Sequence, residues 1–532
     1  MKKKIYLLLL LCLPLLANAQ VKTSTDFSVD VGRPYLVVDA PLKEYFYNED
    51  EVVSIKIGKE FTVQKFSALS LDEQSRTSIV KKKELPRGFV HEEFVQNGST
   101  IYEFYNVWDK PNKTEQIFVQ EITFDDLKPE KSKLLFKVEG KLMSAMGTNK
   151  INVYQSFDHS TYLLVYRKKP TEKRDKLSYD KIGMTVLDEN MEEVWSKEVT
   201  MPYTEADMDN LGYTIDSEGY AYLLARVRNE DENYLEVLIY SGADKPEIIE
   251  IEADNRHFPN GIMLKEGKGG KIYCAGFYGE GNSVNGIYMS IIDEKGSISN
   301  EQFYDIPLEI INQNKSQRTQ EKNEKKEDKG KEVGIYQLGL DDIIINQDGS
   351  VVLVGEVYYM RVTTSYNPST KSTTTTYHYY YLEMFLSKIS ADGNMLWMNK
   401  LPKNQYRSSR SASYISFGGY GRKDYDLSYK YMNKDGAHYL LYLDNVKNLD
   451  LALNKYPSRH MSGRGGYLTA YKIDDRSGDV SKLSLFDMKD VNGVAVYQFN
   501  TDRIIEASED EILLELYKKK KEDILIRIAV QE

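Results

Sequence analysis

Eight times along the chain a short polar turn runs directly into a strand-like apolar stretch. The copies are NEDEVVSIKI (48–57), QNGSTIYEFY (96–105), DHSTYLLVY (158–166), DSEGYAYLLARV (216–227), GKGGKIYCAGFY (267–278), NQDGSVVLVGEV (346–357), NKDGAHYLLYL (433–443) and SEDEILLELY (508–517). A unit of this kind cannot bury its apolar face alone, so a chain built from such units must stack them against one another.

The flanking segments complete each unit. DKIGMTVLDENMEEVWSKEVTMP (180–202) and LEMFLSKISADGNMLWMNKLP (382–402) align as a strand, a turn, Trp195 or Trp397, and a strand ending in Pro202 or Pro402. Weaker copies lie at 119–138, 237–253, 288–307 and 468–488. Asp-Gly and Asn-Gly pairs tolerate the positive φ of tight reversals, so each unit reads as an antiparallel meander of four strands. Four-stranded units at this recurrence predict an all-β chain folded as a β-propeller. The eight inner strands favour eight blades, with seven if one terminal unit is a cap. The last unit, 502–532, holds only three strand-like runs. The extended segment TDFSVDVGRPYLVV (25–38) is expected to clasp the C-terminal blade as its outer strand and remove two exposed sheet edges.

The ends and the charge bound the setting. Lys2–Lys4, the apolar run Ile5–Leu16 and Ala17-Asn18-Ala19 read as a signal peptide over 1–19, which predicts export to the periplasm or beyond. Cys12 lies in that run, but Leu9–Leu11 stand before it where a lipid-attachment site needs a small residue. Without the leader one cysteine remains, Cys274, in an apolar strand. No later apolar run reaches transmembrane length. The formal charge is −11 for the chain and −14 without the leader's three lysines. That balance argues against a nucleic-acid partner, which requires a basic face to displace counterions.

Three insertions break the repeat. Residues 312–333 are almost wholly charged and polar and are expected to form a disordered loop or a frayed helix. Residues 358–381, YYMRVTTSYNPSTKSTTTTYHYYY, alternate Tyr and Thr around Asn367-Pro368-Ser369 and predict a projecting hairpin. Residues 403–430 and 446–466, rich in Ser, Gly, Arg and Tyr, read as long surface loops. Decoration therefore concentrates on the sixth and seventh units.

No GxSxG, HExxH, GxxxxGK[ST] or CxxC pattern is present, and no metal site or cofactor is predicted. Asp188, Asn190 and Glu192 have alternating oxygens but lack the remainder of a calcium loop. His438 reads as an ordinary strand residue and His460 as a solvent-exposed loop residue. The candidate binding residues are Tyr358, Tyr366, Tyr377, Tyr379 and Tyr381, offering rigid aromatic contact area, with Arg407, Arg410, Arg422 and Arg464 as directional donors. The bland reading is that these tyrosines pair across the hairpin and stabilise it.

Residues 385–402, FLSKISADGNMLWMNKLP, resemble the repeat of quinoprotein-like and other bacterial secreted propellers, in which an Asp/Gly turn precedes a Trp of the outer strand. Its Asp392 and Gly393 are adjacent, which departs from the sialidase Asp-box. The resemblance implies the fold alone. The expected function is a non-enzymatic binding or scaffold propeller of the cell envelope that takes a protein or glycan partner. The alternative is an extracellular hydrolase or lyase cleaving polysaccharide or peptide with carboxylates at the channel mouth.

Overall fold

The computed structural model describes residues 27–531 except 81–84, 144–149, 170–176, 229–232, 244, 252–257, 259–260, 294–295, 411–426, 435 and 509–510. The leader and Arg422 lie outside the described residues. Among the described residues the strands form eight antiparallel-built sheets in chain order, at 42–80, 89–139, 151–204, 208–251, 262–305, 338–401, 429–487 and 504–530. They are called sheets 1 to 8 below. Each begins with an inner strand and works outward.

The eight repeated motifs have one place in this scheme. Each is the turn from first to second strand followed by the second strand itself, from Glu51–Ile57 in sheet 1 to Glu511–Lys518 in sheet 8. Such a strand is flanked by strands on both edges and by neighbouring sheets on both faces. It is therefore apolar at nearly every position: Thr161–Arg167 and Ala437–Asp444 are buried along almost their whole length.

Hydrophobic clusters join every sheet to its successor. Phe61 meets Phe94 and Ile101 between sheets 1 and 2, and Leu223 meets Leu163 and Met184 between sheets 3 and 4. The series continues through sheets 2–3, 4–5, 5–6, 6–7 and 7–8. It ends with Val52, Phe66 and Leu71 of sheet 1 packed on Leu513 and Leu525 of sheet 8. A succession in which the last sheet packs on the first is a closed ring. The fold is a β-propeller.

Closure uses the N-terminal segment as its sequence pattern predicts. Phe27–Val31 pairs antiparallel with Ile526–Val530, and Tyr35–Leu36 pairs with Glu522–Asp523, completing the outer side of sheet 8. A buried charge cluster sits at the same seam. Glu515 of sheet 8 accepts from Tyr35 Oη at 2.7 Å, from Tyr45 Oη at 2.5 Å, and from Lys56 Nζ of sheet 1. Lys56 and Glu515 are both fully buried, and Arg503 Nη1 lies 3.5 Å from both Glu515 and Asp523. These cations hold the Glu515 carboxyl well below the usual carboxylate range despite its burial.

Trp195 and Trp397 lock neighbouring sheets together. Trp195 Nε1 donates to Gly219 O of sheet 4 at 2.9 Å, and Trp397 Nε1 donates to Asp475 O of sheet 7 at 3.1 Å. The Trp397 ring lies over Gly478, where a Cβ would meet Cγ of the indole at 2.6 Å. Gly478 also has φ +73°, so both backbone and space require glycine there.

The charged segment 312–333 takes the helical one of its two expected forms, Gln317–Glu327, with Ser316 as N-cap and no buried residue. It is tethered rather than packed: Asn323 Nδ2 donates to Asn312 Oδ1 at 2.8 Å and Gln320 Nε2 to Lys315 O at 2.9 Å. Polar tethers to the preceding short helix, Leu308–Asn312, supply the order that apolar burial does not. His460, expected in solvent, is buried in the short strand His460–Met461. Cys274 is fully buried, which raises its thiol pKa.

Candidate functional site

The connections sort onto two faces. First-to-second strand turns gather on one, where Glu266, ending sheet 5's inner strand, reaches across two sheets. Its carboxylate accepts from Phe157 N in the turn of sheet 3 at 2.5 Å and from Ser217 N in the turn of sheet 4 at 3.2 Å. Asp158 and Asp216 stand close by. Burial, then these two carboxylates, push Glu266 up to about 7 against the pull of its two N–H donors. Asp216 accepts from Glu218 N, Tyr220 N and Tyr222 Oη, and Asp158 Oδ1 accepts from both Ser156 and Ser160. In sheet 3's hairpin, likewise, Asp188 Oδ1 accepts from Asn190 N and Glu192 N.

The opposite face carries the second-to-third strand hairpins and the connectors between sheets, and the insertions of the sixth and seventh units meet there. Sheet 6's two middle strands, Val351–Asn367 and Ser372–Ile389, run far beyond the blade as a continuous hairpin, paired out to Asn367 and Ser372. The Asn367 side chain accepts from Ser369 N at 3.0 Å, closing the predicted turn. The connector to sheet 7 adds the strand Gln405–Ser409 along Tyr377–Tyr381. Sheet 7's own insertion adds His460–Met461, parallel to Gln405–Tyr406. Two expected surface loops thus become strands of one arm.

The root of the arm is a buried polar knot. Lys403 Nζ donates to Glu356 and to Gln405 Oε1, and Ser428 Oγ donates to Glu356 Oε2 at 2.9 Å. Gln405 Nε2 reaches Leu443 O of sheet 7 at 2.9 Å, and Asn404 Nδ2 reaches Pro457 O at 3.0 Å. Each removal of a buried partner here leaves a desolvated group behind, so the knot fixes the arm's attachment to both sheets.

Strand alternation divides the arm's side chains between two faces. Tyr358, Tyr377, Tyr379 and Tyr381 fall on one face together with Arg407, which stands opposite Tyr379. That face is covered at its root and open toward the tip, where Met360 and Val362 are exposed. Tyr358, Tyr379 and Tyr381 are buried and cluster with Leu427, with Tyr377 half-buried against them. Tyr366 shares the same parity but sits near the tip, 61% exposed. Arg410 and Arg464 are exposed, Arg410 at the end of the third strand and Arg464 in the turn after Met461.

The other face holds aromatic residues that the sequence reading passed over. Tyr359 and Tyr380 stack with centroids 4.6 Å apart, and Tyr380 meets Tyr406 at 5.2 Å. The exposed guanidinium of Arg459 lies 5.1 Å from the Tyr406 ring centre and 5.7 Å from that of Tyr380. His378 Nδ1 pairs with Tyr406 Oη at 2.6 Å and its Nε2 with Thr363 Oγ1 at 2.8 Å. The available signal was parity: in YHYYY, Tyr380 must face away from Tyr377, Tyr379 and Tyr381.

No family model matches the chain, and no curated protein matches it. Among solved structures it is similar to the β-propeller domain of the Trilobed protease from Pyrococcus furiosus, at 11% identity and TM-score 0.35, over 85% of this chain and 98% of that one. It is similar also to the WD40 domain of SCAP from fission yeast, at 9% identity and TM-score 0.36, over 96% of each chain. Prolyl oligopeptidase B from Galerina marginata aligns at 10% identity and TM-score 0.38, over 94% of this chain and 55% of that enzyme. The architecture rests on the closed succession of sheets rather than on these likenesses.

Proposed function

We propose that this eight-bladed propeller is a non-enzymatic binding or scaffold protein of the cell envelope, exported by the leader at 1–19, that holds a protein or glycan partner on the arm of its sixth and seventh units. The observation that carries the reading is the interlock of insertions from two blades, Gln405–Ser409 and His460–Met461, with the hairpin 358–381. A hairpin that merely decorated one blade would need neither a shared sheet nor the buried knot at Glu356 and Lys403. Rigid presentation of side chains on such a platform lowers the ordering cost of binding. The predicted aromatic face, with Tyr366, Arg407, Arg410 and Arg464, and the opposite face with Tyr380 and Arg459 are both parts of this surface; Arg422, also a candidate, lies outside the described residues.

The hydrolase or lyase alternative requires two carboxylates free to exchange protons. Asp158, Asp216 and Glu266 gather on the turn face, but their oxygens accept from backbone N–H groups and hydroxyls of the ring itself. That bonding favours a structural role. Among the described residues no helix is long and apolar enough to cross a membrane.

The test replaces 359–380 with Asn-Gly, joining Tyr358 to Tyr381, and compares capture of envelope components by wild type and variant. Loss of a captured component with an unchanged unfolding midpoint supports the reading. Equal capture by both proteins refutes it.

A further inference from the structure

We propose that the open face of the arm, built from Tyr359, Tyr380, Tyr406, Arg361 and Arg459, binds a carboxylated polysaccharide. This rests on the binding reading above and names its ligand class.

Charge is the first argument. Segments 358–381, 403–410 and 451–466 together carry eight Lys and Arg and no Asp or Glu, in a chain with 81 acidic against 70 basic residues. Among the described residues, neither Arg361 nor Arg459 has a carboxylate partner. Arg459 instead rests on two tyrosine rings, which fix its position and leave its planar N–H edge for a ligand. A guanidinium held in this way suits a carboxylate, which it can bind through two parallel hydrogen bonds.

Side-chain chemistry is the second. Register places four rows on this face: Tyr359–Tyr380–Tyr406, Arg361–His378–Ser408, Thr363–Thr376 and Ser365–Thr374. The rows hold rings, hydroxyls, an imidazole and a guanidinium, with no aliphatic side chain and no acid. Rows two residues apart span roughly 20 Å in all, an extended track rather than a pocket. A protein interface of standard strength has an apolar centre, which this track lacks. A polyhydroxylated chain of rings matches the hydroxyls and rings along the track, and its carboxylates match the guanidiniums of Arg459 and Arg361 at the first two rows. Exposed Tyr456, which lies beside Tyr359 and Arg459, extends the aromatic end. Glu383, also near that end, is buried and neutralised by Lys315 Nζ at 2.8 Å, so it leaves the basic field intact.

The test is calorimetric titration of the full-length secreted protein with polygalacturonate oligomers, alongside neutral dextran, dextran sulfate, poly-glutamate and oligo-thymidylate. The expected result is binding to polygalacturonate that weakens with salt and is absent with dextran. R459Q and Y380A should each weaken it about tenfold, while K268Q, in the exposed turn of sheet 5 on the opposite face of the ring, should change it less than twofold. R361Q/R459Q, which alters only exposed charges, keeps the test valid should Y380A misfold. Unchanged affinity in R361Q/R459Q overturns the inference, as does equal or tighter binding of dextran sulfate, poly-glutamate or oligo-thymidylate. If polygalacturonate does not bind while deletion of 359–380 still abolishes capture of an envelope component, the inference fails and the binding reading stands. If the arm holds neither, both fail.

Discussion

Replacing Lys56 with methionine strikes the seam where the ring closes. Lys56 and Glu515 are fully buried and 459 residues apart in sequence, so their contact joins sheet 1 directly to sheet 8. In K56M the Glu515 carboxylate keeps the Tyr35 and Tyr45 hydroxyls and Arg503 at 3.5 Å but loses its nearest cation. Breaking a buried pair from one side costs roughly 3–5 kcal/mol, because the remaining charge stays desolvated. Folded domains hold only about 5–15 kcal/mol in all, so the loss should dominate a denaturation curve. Neutralising the partner as well should restore much of it, so K56M/E515Q should be more stable than K56M by about 2 kcal/mol. The assay is urea unfolding of wild type, both single variants and the double variant, with hydrogen exchange to locate the opening in sheets 1 and 8. The sign with pH follows from the depressed carboxyl. Its contribution is present above the unfolded value near ~4.3 and is lost as pH falls below it, so K56M should lose less on acidification than wild type. A K56M cost below about 1 kcal/mol, or additive single variants, would refute a closing role for the pair.

Other outcomes follow from the same structure. G478A should lose roughly 1–3 kcal/mol in thermal unfolding, since φ is positive and Trp397 occupies the added methyl's place; a neutral effect would show that the indole can move away. Glu266, raised to about 7, holds its proton longer folded than unfolded, so its own contribution to stability should fall as pH rises from about 4.3 through 7. E266Q should flatten that slope in a pH series of melting curves, and an unchanged slope would assign it elsewhere. Removing 27–36 exposes the edge of Glu522–Val530, so light scattering should report association that the full chain does not show.

Much of the architecture was legible because it is written locally. Polar turns that admit positive φ mark the reversals, and apolar runs mark strands buried on both faces, so the order of units follows from the chain alone. The three runs in 502–532 and the spare extended segment at 25–38 were enough to indicate the clasp, since an unpaired edge and an unassigned strand complement each other. The arm was only half legible. Its hairpin announced itself through alternation, and its candidate tyrosines do share a face, but the fold covers the root of that face and buries Tyr358, Tyr379 and Tyr381. Alternation separates Tyr380 from Tyr379 without saying which side meets solvent.

Strands, their turns and the places where the pattern breaks are all local properties of the chain. What stands beside what is not. The parallel pairing of Gln405–Tyr406 with His460–Met461 joins segments about fifty-five residues apart, and Glu266 bridges turns of two other sheets. Neither leaves a periodic trace, because a strand's period records only that each of its faces is wet or dry. Which neighbour makes it dry is set by closure of the ring, a property of all eight units at once.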